Sequence, residues 1–426
     1  MKKLLIVCIG IVTLSATAHA VDFTWSGQIR LRAENFRLDF DKDAHLQSET
    51  YLRTRVNMLA AVTENTSAFV QFQDSRTLGG MNKFGDNQSA TLNDGANVDL
   101  HQAYLKINNL FGQGWGAMGG RFEVNLGNQR LFGGVGWSNV GRSMEGGMLW
   151  YDNPSVAVTL FDVKAIEAMN PLGNSDFDVI GAHVNVKEHH LEFIASLDYW
   201  AEEHSVNGSD ERLLQRFTIG GYLDHDFDHS NVTLNAAVQT GTQLFMPAAV
   251  WVKRDISAFL IAAEAGHTFT GANNPHIAAG IDFASGDDDP NDDKHKAFNN
   301  LYYTGHKFRG YMDYFVGSNE KGLMDIYLRG GIDITQGWKL DVDGHYFQLA
   351  QDGEDWQMNP TKDLGFEFDL TLTTTRVEGA TIVFGGSAFV PSDNAAVIPG
   401  SSYFTAAALQ DPDPSAWGYT QVIINF

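Results

Sequence analysis

Alternation of apolar and polar residues, repeated along almost the whole chain, is the feature that most constrains the fold. In the first such segment Trp25, Ile29 and Leu31 alternate with Arg30 and Arg32. A period of two residues places successive side chains on opposite faces of a β-strand. The same pattern recurs up to the last residue, so the sequence predicts an all-β protein.

The pattern is found in about eighteen segments, an even number within the range of bacterial transmembrane barrels. They cover residues 24–37, 51–62, 67–75, 98–107, 115–126, 142–152, 155–165, 177–187, 190–201, 212–226, 230–242, 253–269, 275–285, 323–335, 338–350, 362–374, 378–390 and 416–426. Strands with one apolar and one polar face suit a wall between lipid and water. We therefore predict a transmembrane antiparallel up-and-down β-barrel, although the alanine-rich segment 253–269 could also be helical.

The spacers between these segments fall into two length classes. Periplasmic turns are predicted for the short links 63–66, 188–189, 336–337 and 376–377. Extracellular loops are predicted for the long polar stretches 77–97, 127–141, 286–322, 351–361 and 391–415. Loops of such length are uncommon in soluble β-sandwiches but frequent on the outer side of barrels. We expect that any narrowing of the pore comes from one of these loops.

Both ends of the chain agree with export to the outer membrane of a Gram-negative bacterium. Lys2 and Lys3 precede a short apolar run, and the A-x-A site that ends at Ala20 completes the order of a signal peptide. Cleavage there would remove residues 1–20, with the one cysteine, Cys8, and leave residues 21–426 as a single barrel. The final segment resembles the last strand of outer-membrane barrels, whose terminal aromatic residue is read by the insertion machinery. That machinery, membrane lipid and lipopolysaccharide are therefore the expected partners.

Charge and motifs argue against several other functions. A formal net charge of −23 argues against nucleic acid as a partner, because phosphate binding needs a basic surface. The sequence has no G-x-S-x-G elbow and no H-E-x-x-H helix, and we predict neither an enzyme nor a bound cofactor.

Arginines on the predicted lumen side form the most informative group of candidate site residues. They are Arg30, Arg32, Arg53, Arg55, Arg121 and Arg329. Guanidinium groups bind carboxylates and sulfates through two parallel hydrogen bonds, so we favour a path for an anionic solute. The alternative is that these arginines pair with acids such as Glu34, Glu123 and Asp325 and brace the barrel.

Acidic residues complete the predicted lumen and one loop. Lumen positions are expected for Glu192, Asp198, Asp341, Asp343, Glu367 and Asp369, which would give the pore a transverse field rather than a uniformly basic surface. In the loop, Asp287, Asp289 and Asp292 could bind calcium through hard oxygen ligands, but they lack the EF-hand pattern. We favour a solvated loop without a metal for this stretch.

Two stretches of sequence identify a family. Residues 120–131 read GRFEVNLGNQRL and residues 137–142 read WSNVGR, which resembles the GRQ-x-L-x-x-G-x-Q-R-L and W-x-x-x-G-R motifs of the alginate-export family. Residues 282–292 (DFASGDDDPND), 298–302 (FNNLY) and 306–313 (HKFRGYMD) are similar to a second region of that family, in the same order.

The resemblance implies an 18-stranded outer-membrane barrel through which an anionic polysaccharide, such as alginate, diffuses along arginine-lined constrictions. On this basis the residues expected to line or gate the path are Arg121, Gln129, Arg130, Arg142, His306, Lys307, Arg309 and Asp313. The alternatives are a general or small-solute porin and, from a different class, a barrel hydrolase.

Overall fold

The computed structural model describes residues 21–78, 98–166 and 176–426, and within them it contains nineteen strands. The strands are β1 (Asp22–Arg37), β2 (Gln47–Ala61), β3 (Thr66–Thr77), β4 (Asp99–Asn108), β5 (Trp115–Phe122), β6 (Met144–Asp152), β7 (Val156–Ile166), β8 (Phe177–Val186), β9 (Leu191–Val206), β10 (Ser209–Phe227), β11 (Ser230–Phe245), β12 (Val252–Thr268), β13 (His276–Ala284), β14 (Lys294–His295), β15 (Leu323–Thr335), β16 (Trp338–Glu354), β17 (Pro360–Thr374), β18 (Ala380–Pro391) and β19 (Ser415–Asn425). Three short 3₁₀-helices span Lys187–His189, Pro247–Ala249 and Gly305–Lys307. No helix in the described parts of the chain is long and apolar enough to cross a membrane.

Eighteen of these strands close into an antiparallel barrel, as the sequence predicts. Each strand pairs with its neighbour along the chain, and β19 returns to pair with β1 from Gln28↔Asn425 to Arg37↔Ala416. This pairing closes the barrel and puts Gln421 beside Arg32. The segment predicted as strand or helix at 253–269 is the strand β12. The remaining strand, β14, is a two-residue strand in a loop and lies parallel to β12.

The outside of the barrel is apolar and the inside is polar. Leu105 and Leu328 are more than half exposed on the outer face. Asp198, Asp325 and Glu367 are fully buried on the inner face. This separation follows from the period-two alternation of the strands, because the pleat sends neighbouring side chains to opposite faces.

The links between strands sort by length onto the two ends of the barrel. At one end lie short turns such as Gln336-Gly337, where Gly337 takes the positive φ of 77° that a two-residue turn favours. At the other end lie the long connections 123–143, 285–322 and 392–414. The loop predicted at 351–361 is shorter, because β16 and β17 extend into it and leave only residues 355–359. The predicted signal peptide and residues 79–97 of the predicted loop 77–97 lie outside the described residues.

Arg121, predicted on the lumen side, lies on the outer face of β5. Phe122 lies in a buried apolar cluster inside the barrel, and so do Val124 and Leu126, which follow the end of β5. The apolar side chains of this stretch therefore point inward, and Arg121 points outward. The reason is that the lumen holds an apolar core of its own, contributed by loops, so a hydrophobic face does not always face lipid.

Two of the long connections form that core. We call residues 123–143 the first inner loop and residues 285–322 the second inner loop. Phe132 of the first loop packs on Phe161 of β7 with ring centroids 5.3 Å apart, and Phe315 of the second packs on Phe347 of β16 at 4.5 Å. Both loops therefore lie against the inner wall.

Main-chain hydrogen bonds join the two inner loops to each other. Tyr302 N donates to Leu131 O at 3.0 Å, Gly133 N donates to Tyr302 O at 2.8 Å, and Thr304 N donates to Gln129 O at 3.0 Å. Residues 392–414 add a further apolar cluster around Phe404, which packs on Phe389 of β18. The lumen is consequently narrowed by a joined pair of loops rather than by one.

Candidate functional site

Arginines of β1 and β2 hold the first inner loop against the wall. Arg30 and Arg53 are direct partners across these two strands. Arg30 donates from Nη1 to Gly136 O and from Nη2 to Ser138 O, both at 2.8 Å. Arg53 donates from Nη1 to the same two carbonyl oxygens at 3.1 Å. Two buried guanidinium groups thus share two carbonyl groups of one loop.

Arg55 fixes the following part of the same loop. Its Nη1 lies 3.1 Å from Glu123 Oε1, its Nη2 lies 3.0 Å from His101 Nε2, and its Nε donates to Gln73 at 2.6 Å. Its Nη2 also donates to Val140 O at 3.3 Å. Every nitrogen of this guanidinium is therefore engaged, which makes Arg55 a bracing residue.

Arg32 connects this wall to a cavity. Its Nε pairs with Glu34 at 2.6 Å and its Nη1 donates to Trp137 O at 2.8 Å. The guanidinium carbon lies 4.0 Å from the centroid of the Trp137 ring, a cation–π distance. Arg32 therefore also presents a positive charge beside an aromatic surface.

The cavity has a volume of about 640 Å³ and lies between β1, β2, β19 and the two inner loops. It is lined by aromatic rings, by two arginines, by a histidine and by two acids, which include Tyr51, Trp137, Tyr303, Tyr311, Tyr403, Trp417, Arg32, Arg142, His306, Glu34 and Asp313. Trp137 stacks on His306 with ring centroids 4.0 Å apart and an angle of 5° between the planes. His306 is held in turn by Asp313 Oδ1 at 2.9 Å from its Nδ1. Ligand sites of proteins combine apolar and aromatic surface with a few fixed polar groups in this way.

Arg142 is the cationic residue of the cavity whose desolvation a bound anion would offset. It donates to Gly133 O and Tyr303 O at 3.3 Å, and it has no carboxylate partner among the described residues. Burial lowers the pKa of Arg142, because desolvation disfavours the charged guanidinium. An anionic group in the cavity would offset that cost.

Arg130 and Arg309 belong to the two inner loops and lie against another part of the wall. Both contact the buried carboxylate of Asp282 on β13, Arg130 through Nη1 and Arg309 through Nε at 3.2 Å. Burial alone would lower the pKa of Arg309, but Asp282 and Tyr303 raise it above its ordinary value. One carboxylate thus holds one arginine from each inner loop, and these residues join the loops to β13.

The other candidate residues have mostly structural contacts. Gln129 accepts a hydrogen bond from Thr304 Oγ1 at 2.9 Å, and Lys307 Nζ donates to Asn128 O at 3.1 Å. Both contacts connect the two inner loops. Arg329 on β15 lies 3.3 Å from Glu264 and 3.7 Å from Asp343 on the inner wall.

Arg121 is a correction to the sequence prediction. It lies on the outer face, opposite Ala103 of β4, and its Nη1 contacts Glu145 Oε1 at 3.0 Å. The side chain of Glu145 is 63% exposed, whereas the next residues of both strands, Phe122 and Met144, are buried inside. Arg121 therefore cannot contribute to the lumen.

The acidic residues singled out from sequence lie in two places, the inner wall and the second inner loop. Asp343 and Asp369 are buried on the inner wall, as expected, and Glu367 Oε1 accepts a hydrogen bond from Met312 N at 2.8 Å. Asp289 and Asp292 cap turns by accepting hydrogen bonds from Asn291 N and Lys294 N. Asp289 and Asp292 are not part of the cluster that Asp287 forms with His295 and Glu320.

Aromatic residues of the cavity are the part of the site that sequence reasoning missed. Trp137 lies inside one of the family motifs and Trp417 lies in the last strand, so both were visible in the sequence. Their alternation marked only a strand or a loop. The signal that could have identified Trp137 is its position at the start of a motif that ends on Arg142, a short distance after Arg130 of the preceding motif.

The chain is similar to known proteins both in sequence and in fold. The family described as Alginate export matches residues 21–402. OccK2 (OpdF) of Pseudomonas aeruginosa has a similar structure, with a TM-score of 0.61 and 11% identity over 95% of this chain and 98% of that chain. OccK11 (OpdR) of the same organism gives a TM-score of 0.56 and 9% identity over 95% of each chain.

A structure of OccK2 (OpdF) in complex with glucuronate is also similar, with a TM-score of 0.59 and 11% identity over 95% of this chain and 98% of that chain. The search of curated proteins finds no match to the chain. At these levels of identity the structural likeness establishes the fold, that of outer-membrane barrels.

Proposed function

Because the chain belongs to the alginate export family, we propose that it is a passive outer-membrane channel for an anionic oligosaccharide or polysaccharide, with the Arg32–Trp137–Arg142 cavity as its binding station. Family and fold both support an outer-membrane channel. The proposed substrate class depends on the cavity.

The observation that carries the substrate class is the combination of two arginines with aromatic rings in one cavity. Guanidinium groups bind carboxylates with defined geometry, and flat rings offer an apolar surface to the faces of a sugar. Glu34 and Asp313 at the same cavity keep the attraction moderate. Conduction needs binding that is favourable enough for entry and weak enough for release.

A second candidate is a channel for small anionic solutes such as a single uronate. It is favoured by the joined inner loops, which leave a cavity rather than a wide open lumen. The structural neighbour that binds glucuronate, a single acidic sugar, supports the same candidate. The two proposals differ in how binding depends on the length of the sugar chain.

Single-channel recording in a planar bilayer tests both proposals. A uronate trisaccharide should block the current at a concentration at least about tenfold lower than maltotriose, which corresponds to about 1.4 kcal/mol of preference. The variant Arg32→Gln/Arg142→Gln should lose this preference. Arg121→Gln, which removes one positive charge from the outer face, should keep it.

The outcomes separate the candidates. Tighter block by the trisaccharide than by glucuronate supports the polysaccharide channel, and equal block by both supports the small-solute channel. Equal block by uronate and neutral sugars would contradict both, and a barrel that carries no current would contradict any channel. Outer-membrane lipid, lipopolysaccharide and the insertion machinery remain proposed partners.

A further inference from the structure

Three potential metal ligands converge at the base of the second inner loop. The ligand atoms of Asp287, His295 and Glu320 all lie within 4.8 Å of one another. His295 Nδ1 is 3.9 Å from Asp287 Oδ2 and 3.6 Å from Glu320 Oε2. In a tetrahedral site with bonds of about 2.1 Å, ligand atoms are roughly 3.4 Å apart. The two distances from His295 Nδ1 exceed this spacing by only about 0.2 to 0.5 Å, so one ion could be bound between these groups after a small shift.

The buried groups of this cluster lack hydrogen-bond partners. Asp287 is 3% exposed, and neither of its carboxylate oxygens accepts a hydrogen bond within the described chain. The same is true of Nδ1 of His295, whose distances to the two carboxylates are too long for hydrogen bonds. Lys321 Nζ donates to the main-chain oxygen of Asp287 and not to its carboxylate.

A buried carboxylate without a partner is costly, and a cation between the three groups would remove that cost.

The backbone fixes the positions of these ligands. Asp287 follows the end of β13, and Glu320 precedes β15. Asp287 N donates to Glu320 O at 2.6 Å, which brings the two ends of the loop together. His295 belongs to β14, which pairs with β12 through Ile256↔His295. One ion would thus connect the beginning, the middle and the end of the second inner loop.

We infer that Asp287, His295 and Glu320 form a binding site for a divalent metal ion of the zinc class. One imidazole nitrogen and two carboxylates are ligands that Zn²⁺ accepts, whereas Ca²⁺ prefers a larger set of oxygen ligands alone. Glu320 is largely exposed, its side chain at 73%, so solvent can reach the ion and supply a fourth ligand. The site differs from the calcium site considered from sequence, because Asp289 and Asp292 do not take part.

Calorimetric titration of the purified, chelator-treated barrel with zinc chloride tests this inference. The expected result is one saturable site per chain. Glu320→Gln should weaken binding by about tenfold or more, and His295→Gln should abolish it. Asp289→Asn is the matched control, because it removes an acid of the same loop outside the cluster, and it should bind as the unmodified chain does.

Two further measurements make the outcome decisive. Glu320 is exposed, so its variant tests the site without disturbing the core, and the heat-dependent migration of the barrel in gels verifies folding of all variants. Absence of saturable binding in the unmodified chain, or zinc binding by Glu320→Gln and His295→Gln as tight as that of the unmodified chain, would overturn the site. Displacement of zinc by an equal concentration of calcium chloride would overturn the metal class.

Discussion

Loss of the contacts made by Arg30 and Arg53 should release the first inner loop from the wall. These two arginines make four hydrogen bonds to the carbonyl oxygens of Gly136 and Ser138. The perturbation we propose is Arg30→Gln together with Arg53→Gln, compared with each single variant. Glutamine keeps polarity at the inner wall but removes the charge and the forked donor.

The magnitude follows from the shared acceptors. Each single variant leaves both carbonyls bonded to the other arginine and removes repulsion between two like charges that face each other across β1 and β2. We therefore expect each single change to cost the attached loop less than about 1 kcal/mol.

The double variant leaves the carbonyls without either donor. A hydrogen bond to a charged group contributes about 1.5 to 3 kcal/mol. Since Gly136 is exposed and water replaces part of the loss, we expect about 3 kcal/mol in total. That amount raises the population of the detached loop roughly 100-fold.

Single-channel recording measures this release directly. The double variant should show larger current fluctuations and a higher mean conductance, while both single variants should resemble the unmodified barrel. Arg121→Gln is the matched control, because it removes an arginine from the outer face of the same barrel. If the two single variants each showed half of the effect of the double variant, the shared-acceptor reasoning would be refuted. An unchanged double variant would show that these arginines do not hold the loop.

Two further predictions concern other contacts of the inner loops. Asp282→Asn should lower the free energy of unfolding by about 3 to 5 kcal/mol, because it leaves Arg130 and Arg309 buried without their shared carboxylate; urea denaturation measures this, and Asp43→Asn, a change at an exposed residue, should alter it by less than about 0.5 kcal/mol. Trp137→Ala should weaken uronate block by about tenfold, since it removes the ring that contacts both Arg32 and His306; unchanged block in bilayer recordings would contradict this role, and Phe111→Ala, which alters an exposed ring, is the control.

The strands could be predicted from sequence because alternation is a local property. The predicted segment 323–335 has the bounds of β15, and its predicted outer residues Ile326 and Leu328 are exposed. The outward position of Arg121 shows the limit of this reasoning. Alternation gives two faces but does not say which one is inside, and the usual assumption fails where loops bring apolar side chains into the lumen.

The candidate site could be predicted only as a set of wall residues. Arg30, Arg32, Arg53 and Arg55 do lie together, because their strands are adjacent and the register puts all four side chains on the same face. Their partners could not be predicted, since Gly136 is 106 residues from Arg30 and contributes a main-chain oxygen that has no signature in the sequence. The same holds for the cluster of Asp287, His295 and Glu320, which depends on a loop returning to its own base.

The contacts of the lumen arginines also help to decide whether these residues brace the barrel or line a path for an anion. An arginine whose donors are all engaged and that is paired with an acid loses most of its field, as Arg55 does beside Glu123. Arg30 and Arg53 are held by neutral carbonyl oxygens and therefore keep their positive charge while they brace the loop. In the low dielectric of the inner wall, such charges act over a longer distance than they would in water. The same two residues can thus fix the constriction and attract an anion toward it, because hydrogen bonding to a neutral acceptor uses the donors of a guanidinium without cancelling its charge.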